Sequence, residues 1–298
     1  MTGTAPALEL LQFGRSGQLG GELATALANR ADIRATILDR SDADFTDPAR
    51  IGQAVLDARK PDIVINAVAY TAVDRAEQDE ALAYRVNAEA VEAMARACGI
   101  RGIPLIHVST DYVYDGAKAD PYLESDPTGP INAYGRTKLA GEDLIRQHLP
   151  QHVILRSSWI YSARGQNFLK TMLRLGRERD TVRVVDDQHG APTAAPDLAA
   201  AIVTIARHIA GGSSAFGTYH YANAGEASWC DFAGEIFRQA QRPARAVPIS
   251  TDEYPTPARR PANSRLDTGK ISRTFGIHPP AWQTSLAAVL TGMEETRI

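Results

Sequence analysis

Tyr134 and Lys138 stand four residues apart in the run Tyr-Gly-Arg-Thr-Lys, at the start of a helical pattern. That spacing sets both side chains on one helix face. A phenol of pKa about 10 is a weak acid, and a neighbouring ammonium favours the phenolate and tunes it towards neutrality. Alone, Tyr-x-x-x-Lys is also what an ordinary surface helix offers. Upstream, however, Ser109, Thr110, Asp111 and Tyr112 follow an apolar run. A hydroxyl there can bind the oxygen that the phenol protonates and fix it in place. The set suits reduction of a carbonyl, which needs a proton donor beside the new oxyanion and a hydride donor facing the carbon.

A hydride donor needs a cradle, and one is written near the start of the chain. Gly14, Arg15, Ser16, Gly17, Gln18, Leu19 and Gly20 lie between an apolar strand pattern and a helical one. Glycines there allow a tight turn, bring backbone N–H groups close to a pyrophosphate, and let helix pack on strand. The context, more than the glycine spacing, points to dinucleotide binding. Asp39 ends the second strand pattern, where a carboxylate can accept from the adenosine ribose; Arg40 beside it can instead meet a 2′-phosphate. The pair leaves NADH and NADPH both open. Asp44 and Phe45 resemble the adenine-flanking turn of related enzymes, and Ala67, Val68 and Ala69, after Asn66, are small enough for the backbone to reach the cofactor.

These residues need a sheet edge to gather on. Strand patterns at residues 8–13, 33–38, 62–66, 103–109 and 153–156 alternate with helical patterns at 17–29, 48–59, 80–98 and 133–147. That rhythm predicts an α/β fold, a Rossmann-type doubly wound parallel sheet covered on both faces. Beyond Trp159 the rhythm loosens, with helical stretches near 167–179, 195–209 and 229–241, and Pro255, Pro257 and Pro261 crowd a loop. The reading is a dinucleotide-binding domain mainly over residues 1–160. Residues 161–298 form mainly a smaller C-terminal substrate lobe, with some segments returning to the first domain. At 298 residues, with 44% hydrophobic and 22% charged residues, the chain can bury its core without staples. A net charge of −3 advertises no nucleic-acid partner. Cys98 and Cys230 have no metal-type spacing and read as reduced, buried thiols. No apolar window approaches a membrane span, and a cytoplasmic location is expected.

With these motifs in place, the chain resembles the extended short-chain dehydrogenase/reductase superfamily, and within it the dTDP-4-dehydrorhamnose reductases. The likeness runs from about Leu8 to Leu290. It includes residues 13–20, Val73-Asp74, 109–113, 134–142, 156–161, Asn167-Phe168, 187–193 and 254–267. The resemblance implies a catalytic triad of Thr110, Tyr134 and Lys138, the last two also touching the cofactor, NADPH or NADH. It implies reduction of the C4 ketone of a dTDP-sugar, held by Val73, Asp74, Asp111, Tyr112, Trp159, Asn167 and Gln188, with Arg259 and Arg260 on the diphosphate. Some members are dimers bridged by magnesium. Glu22 matches one acidic position of that bridge, but Pro196 and Gly292 stand where the others would be, and one carboxylate is a poor magnesium site. A monomer and a homodimer both remain open. A dehydratase would carry glutamate where Tyr112 follows Asp111. Another nucleotide-sugar reductase or epimerase, or a non-catalytic NADP-binding regulatory subunit, are the alternatives.

Overall fold

The computed structural model describes residues 7–28 and 30–295; Asn29, the last residue of the first expected helix, lies outside the described residues. The apolar runs form β1 (Leu8–Phe13), β2 (Ile33–Leu38), β3 (Ile63–Asn66), β4 (Leu105–Thr110) and β5 (His152–Ser157). β3 and β5 are buried along their whole length, the mark of a strand covered on both faces. All five pair in parallel. A sixth strand, Gly217–Tyr221, returns from the second half to pair with β5, giving the order 217–221, β5, β4, β3, β1, β2.

Helices cover both faces. α1 (Gln18–Ala28) packs on one side with helices Ala195–Ala210 and Gly269–Phe275 around Leu23, Ile65, Leu198, Ile202 and Ile271. α2 (Pro48–Asp57), capped by the Asp47 side chain with Pro48 in its first turn, covers the other side. The arrangement is a Rossmann-type doubly wound sheet.

Residues 80–98 do not form the single expected helix. After a short α3 (Val73–Ala76), the chain runs through α4 (Glu80–Tyr84), a π-helical turn (Arg85–Glu89) and α5 (Ala90–Arg101). The wider turn serves Asn87. Its side chain accepts from the Tyr70 N–H at 2.8 Å and donates to the Tyr70 carbonyl and, at 3.0 Å, to the Thr137 hydroxyl. Its carbonyl oxygen lies so close to Gly141 of α6 (Ala133–His148) that any Cβ there would overlap it.

The remaining residues build a smaller lobe. Helices Phe168–Glu178, Trp229–Gln239 and Trp282–Glu295 enclose Met172, Phe232, Ile236 and Leu286, alongside a parallel pair of strands, Thr181–Val185 and Arg245–Ile249. The proline-rich stretch is irregular, apart from a short 3-10 turn at Thr251–Glu253. Cys98 is buried and Cys230 half-buried, both free. Among the described residues, no helix is long and apolar enough to cross a membrane.

Candidate active site

β1 ends at Phe13 and α1 begins at Gln18, with the glycine turn between them. Gly14 turns with φ +96°, where a side chain would be strained and would press on Val68. A Cβ on Gly20 would lie 2.5 Å from the Gly14 carbonyl oxygen, so turn and helix close on each other. Gly17 borders open space instead. Ser16 is exposed beside it, while the Leu19 side chain packs into the core. A concave turn at a helix N-terminus, open at one glycine, fits a pyrophosphate. Beneath it the buried Gln12 donates Nε2 to the carbonyls of Gly14 at 2.6 Å and Gly20 at 2.8 Å. Sequence reasoning passed over Gln12, although a glutamine in an apolar strand was a visible signal.

Asp39 accepts from the Ser41 hydroxyl and N–H, which hold its carboxyl below the usual range. Arg40 leans on Asp44 at 3.3 Å, which ties one candidate reader of the ribose to the turn expected beside the adenine. Phe45 is buried edge-on against Phe13. The Ala67 N–H donates to the Phe13 carbonyl, bringing the end of β3 beside the turn.

The candidate reacting groups sit where β4 meets α6. Asn132 caps α6 by accepting from the Gly135 N–H at 2.8 Å, and Glu77 accepts from the Ala133 N–H at 2.7 Å. Tyr134 therefore lies in the first turn and Lys138 one turn on, only 1% exposed. The Tyr134 phenol hydrogen-bonds Thr110, whose hydroxyl donates to Asp111 Oδ1 at 2.9 Å. Burial pushes the phenol above its ordinary value, and the Asp111 charge adds to this. Burial likewise pushes Lys138 down to about 8, partly opposed by Glu142. The lysine that sequence spacing predicts as a tuner of the phenol instead bonds the Val108 carbonyl at 2.8 Å and lies 3.1 Å from His107 Nε2. Burial, not a neighbouring ammonium, governs Tyr134. Asp111 is raised by burial to about 6, against hydrogen bonds from Ser264 and Thr110, and its Oδ2 is buried with no hydrogen-bond partner among the described residues.

A buried ion pair floors the site. Glu142, one turn beyond Lys138, accepts from the Ser109 hydroxyl at 2.5 Å and from Arg156 at 2.6 Å; Arg156 also donates to the Tyr114 hydroxyl at 2.6 Å. Burial pushes the Glu142 carboxyl up, but Arg156, Ser109 and Arg146 outweigh it. Neither Glu142 nor His107 was singled out from sequence; each is a polar residue on an otherwise inward-facing surface.

The proposed substrate residues divide. Tyr112 lies edge-on to Tyr134, with ring centroids 5.8 Å apart. Asp74 of α3, beside Val73, makes two bonds to Arg260, at 3.0 and 2.8 Å, so that guanidinium is already paired. Arg259 is exposed, and its carbonyl accepts from Asn132. Trp159 belongs to another cluster: it has φ +47° and stacks on Trp229 at 3.6 Å. Asn167 caps helix Phe168–Glu178 and donates to Gln18 Oε1 at 2.8 Å, which staples the second lobe to the glycine turn. Gln188 is buried and donates to Thr251. Glu22 pairs with Arg164 at 3.2 Å, and no group of three or more His, Cys, Asp or Glu side chains that could hold a metal ion occurs among the described residues. A bridging magnesium would have to displace that guanidinium, so the residues present do not fit the ion.

The family model described as RmlD substrate binding domain matches residues 8–295. The dTDP-4-dehydrorhamnose reductase of Sinorhizobium fredii is 46% identical over 284 residues, covering 93% of this chain and 95% of the relative. Two solved dTDP-4-dehydrorhamnose reductases, from Clostridium acetobutylicum and, in complex with NADP, from Bacillus anthracis, each superpose with a TM-score of 0.90 at 36% identity. Each alignment covers 96% of this chain and 99% of the other. With sheet order, glycine turn and Thr-Tyr-Lys site in one chain that these matches span almost end to end, the protein belongs to the dTDP-4-dehydrorhamnose reductase family of extended short-chain dehydrogenase/reductases.

Proposed function

We propose that this chain reduces the C4 ketone of dTDP-4-dehydro-L-rhamnose to dTDP-L-rhamnose, with NADPH or NADH as hydride source and Tyr134 as proton donor. The observation that carries this reading is the half-buried Tyr134 phenol beside Thr110, one helical turn from the buried Lys138. Family membership supports the substrate, and the NADP complex of the Bacillus anthracis relative supports the cofactor. When bound, the nicotinamide supplies the hydride.

The chain's own residues do the rest. Residues 14–20 would hold the pyrophosphate, and Asp39 and Arg40 would meet the adenosine ribose. Tyr134, kept protonated by burial, gives its proton to O4, and Thr110 orients that oxygen. The unpartnered Oδ2 of Asp111 is a ready acceptor for a sugar hydroxyl, with Tyr112 beside it. Residues 161–298 supply most of the sugar-nucleotide lobe, and Arg259, the exposed one of the arginine pair, is the better placed to meet the diphosphate.

Loss of nicotinamide absorbance, followed with each cofactor and with or without the sugar, tests the reading. Sugar-dependent oxidation is expected, unchanged by EDTA. Tyr134→Phe should lose at least ~100-fold in turnover while still binding cofactor. A flat trace from the native protein, with either cofactor demonstrably bound, would overturn the reading.

A further inference from the structure

Trp159 is held in a backbone conformation that tryptophan does not adopt unaided. Its φ of +47° lies in the left-handed region, where a bulky side chain is strained, and such strain persists only where neighbours over-determine it. The Ser158 hydroxyl donates to the Ala191 carbonyl at 3.0 Å, and the Trp159 carbonyl accepts from the Thr193 N–H at 3.2 Å. Strand His189–Gly190 runs so close to the indole that a Cβ on Gly190 would lie 2.5 Å from the ring. That strand pairs antiparallel with Ala227–Ser228, which delivers Trp229 to the same place. The two indoles stack at 3.6 Å, only 9° from parallel. Trp229 is itself fixed: Ser228 and Asp231 close a capping box around it, and Phe168 packs on its ring.

This aromatic wall is tied to the candidate reacting groups. Ser157, two residues before Trp159, is the sheet partner of Thr110. The His189 carbonyl accepts from the Ser264 N–H at 2.7 Å, and the Ser264 side chain hydrogen-bonds Asp111, which in turn accepts from Thr110. Both stacked tryptophans are half-buried, and the Trp159 indole N–H is neither buried nor bonded among the described residues. Trp282, the third tryptophan, is 3% exposed and donates its N–H to the Glu226 carbonyl. We propose that Trp229 is a positioning residue: its stack holds Trp159 in the strained conformation, so that the Trp159 indole N–H meets an oxygen of the sugar nucleotide. This rests on the reading of the chain as a dTDP-sugar reductase. The stack lies apart from the glycine turn, so its effect falls on the sugar nucleotide and not on the cofactor.

Steady-state kinetics and tryptophan emission test the proposal. Trp159→Phe removes the N–H and Trp229→Leu removes the stack; each should raise KM for dTDP-4-dehydro-L-rhamnose about tenfold and leave the cofactor KM in place. Trp229→Phe keeps a flat ring and should restore most of the native KM. Because Trp229 acts through Trp159, the double variant Trp159→Phe/Trp229→Leu should be no worse than either single one. In the native protein, dTDP-L-rhamnose added with NADP+ should change the tryptophan emission, and Trp159→Phe should lose most of that change. An unmoved sugar KM in Trp229→Leu, equal rises in both KM values, effects that multiply in the double variant, or emission indifferent to dTDP-L-rhamnose would each overturn the proposal. If Trp229→Leu does not fold, Trp229→Met, closer in volume and equally unable to stack, takes its place in the cycle. These outcomes are read against a native protein that turns over; one without sugar-dependent oxidation refutes the functional reading instead.

Discussion

Lys138→Met should abolish reduction yet make the protein more stable at neutral pH. The lysine is 1% exposed, and its pKa falls from 10.5 to about 8 on folding. At pH 7 it is charged in the unfolded chain and still mostly charged in the fold, so the full penalty for burying the ammonium applies, about 3 kcal/mol. Methionine fills a similar volume without that penalty, but it leaves the Val108 carbonyl and the His107 Nε2 short of a partner, costing about 1–2 kcal/mol. The net gain at pH 7 is about 1–2 kcal/mol. The sign with pH follows from the lowered folded pKa: the native protein recovers stability as pH rises through 8 towards 10.5. The variant's advantage should therefore shrink by about 2 kcal/mol between pH 7 and 9.5, and reverse. Urea unfolding of both proteins across that range measures it. A variant less stable than native at pH 7, or a difference that does not change with pH, would refute a burial-lowered Lys138.

Arg156→Met leaves Glu142 buried without its main partner and should cost about 3–5 kcal/mol, whereas adding Glu142→Met should restore much of the loss; thermal unfolding of the pair decides. Gly141→Ala places a methyl against the Asn87 carbonyl and should cost about 1–3 kcal/mol with a marked fall in kcat. Gly234→Ala, in a helix with open space around it, should be neutral or slightly stabilising in the same denaturation assay. Asp39→Ala should weaken NADH more than NADPH; equal losses in titrations with both cofactors would remove the carboxylate from the ribose.

Much of the architecture was legible because local pattern and burial agree. Residues 8–13 and 33–38 read as strands and are strands, with the glycine turn where the first pattern ends. Tyr134, Lys138 and Thr110 could be paired from spacing because a helix face and a strand end have fixed periods. What escaped depends on contacts distant in sequence. No periodicity marks a π-helical turn; Asn87 needs it to reach Tyr70 and Thr137, and Thr137 is 50 residues away. Arg260 reads as a free phosphate ligand until Asp74, 186 residues distant, is found against it. The direction of the Tyr134 shift was missed for the same reason: spacing shows that a lysine is near, but not that burial outweighs it and that His107 faces its amine.

The sixth strand has a consequence for how the protein is made. The chain leaves the sheet at Ser157 and returns only at Gly217, so a ribosome releases β5 long before its outer neighbour exists. Throughout that interval β5, a strand buried along its whole length in the finished fold, shows an unpaired edge, the kind that recruits strands from other nascent chains. A fragment ending near residue 160 would carry the same open edge permanently. The first half of the chain is thus no autonomous module: its last strand is delivered by the polypeptide that also builds the smaller lobe, and translation must pass residue 221 before either can be complete.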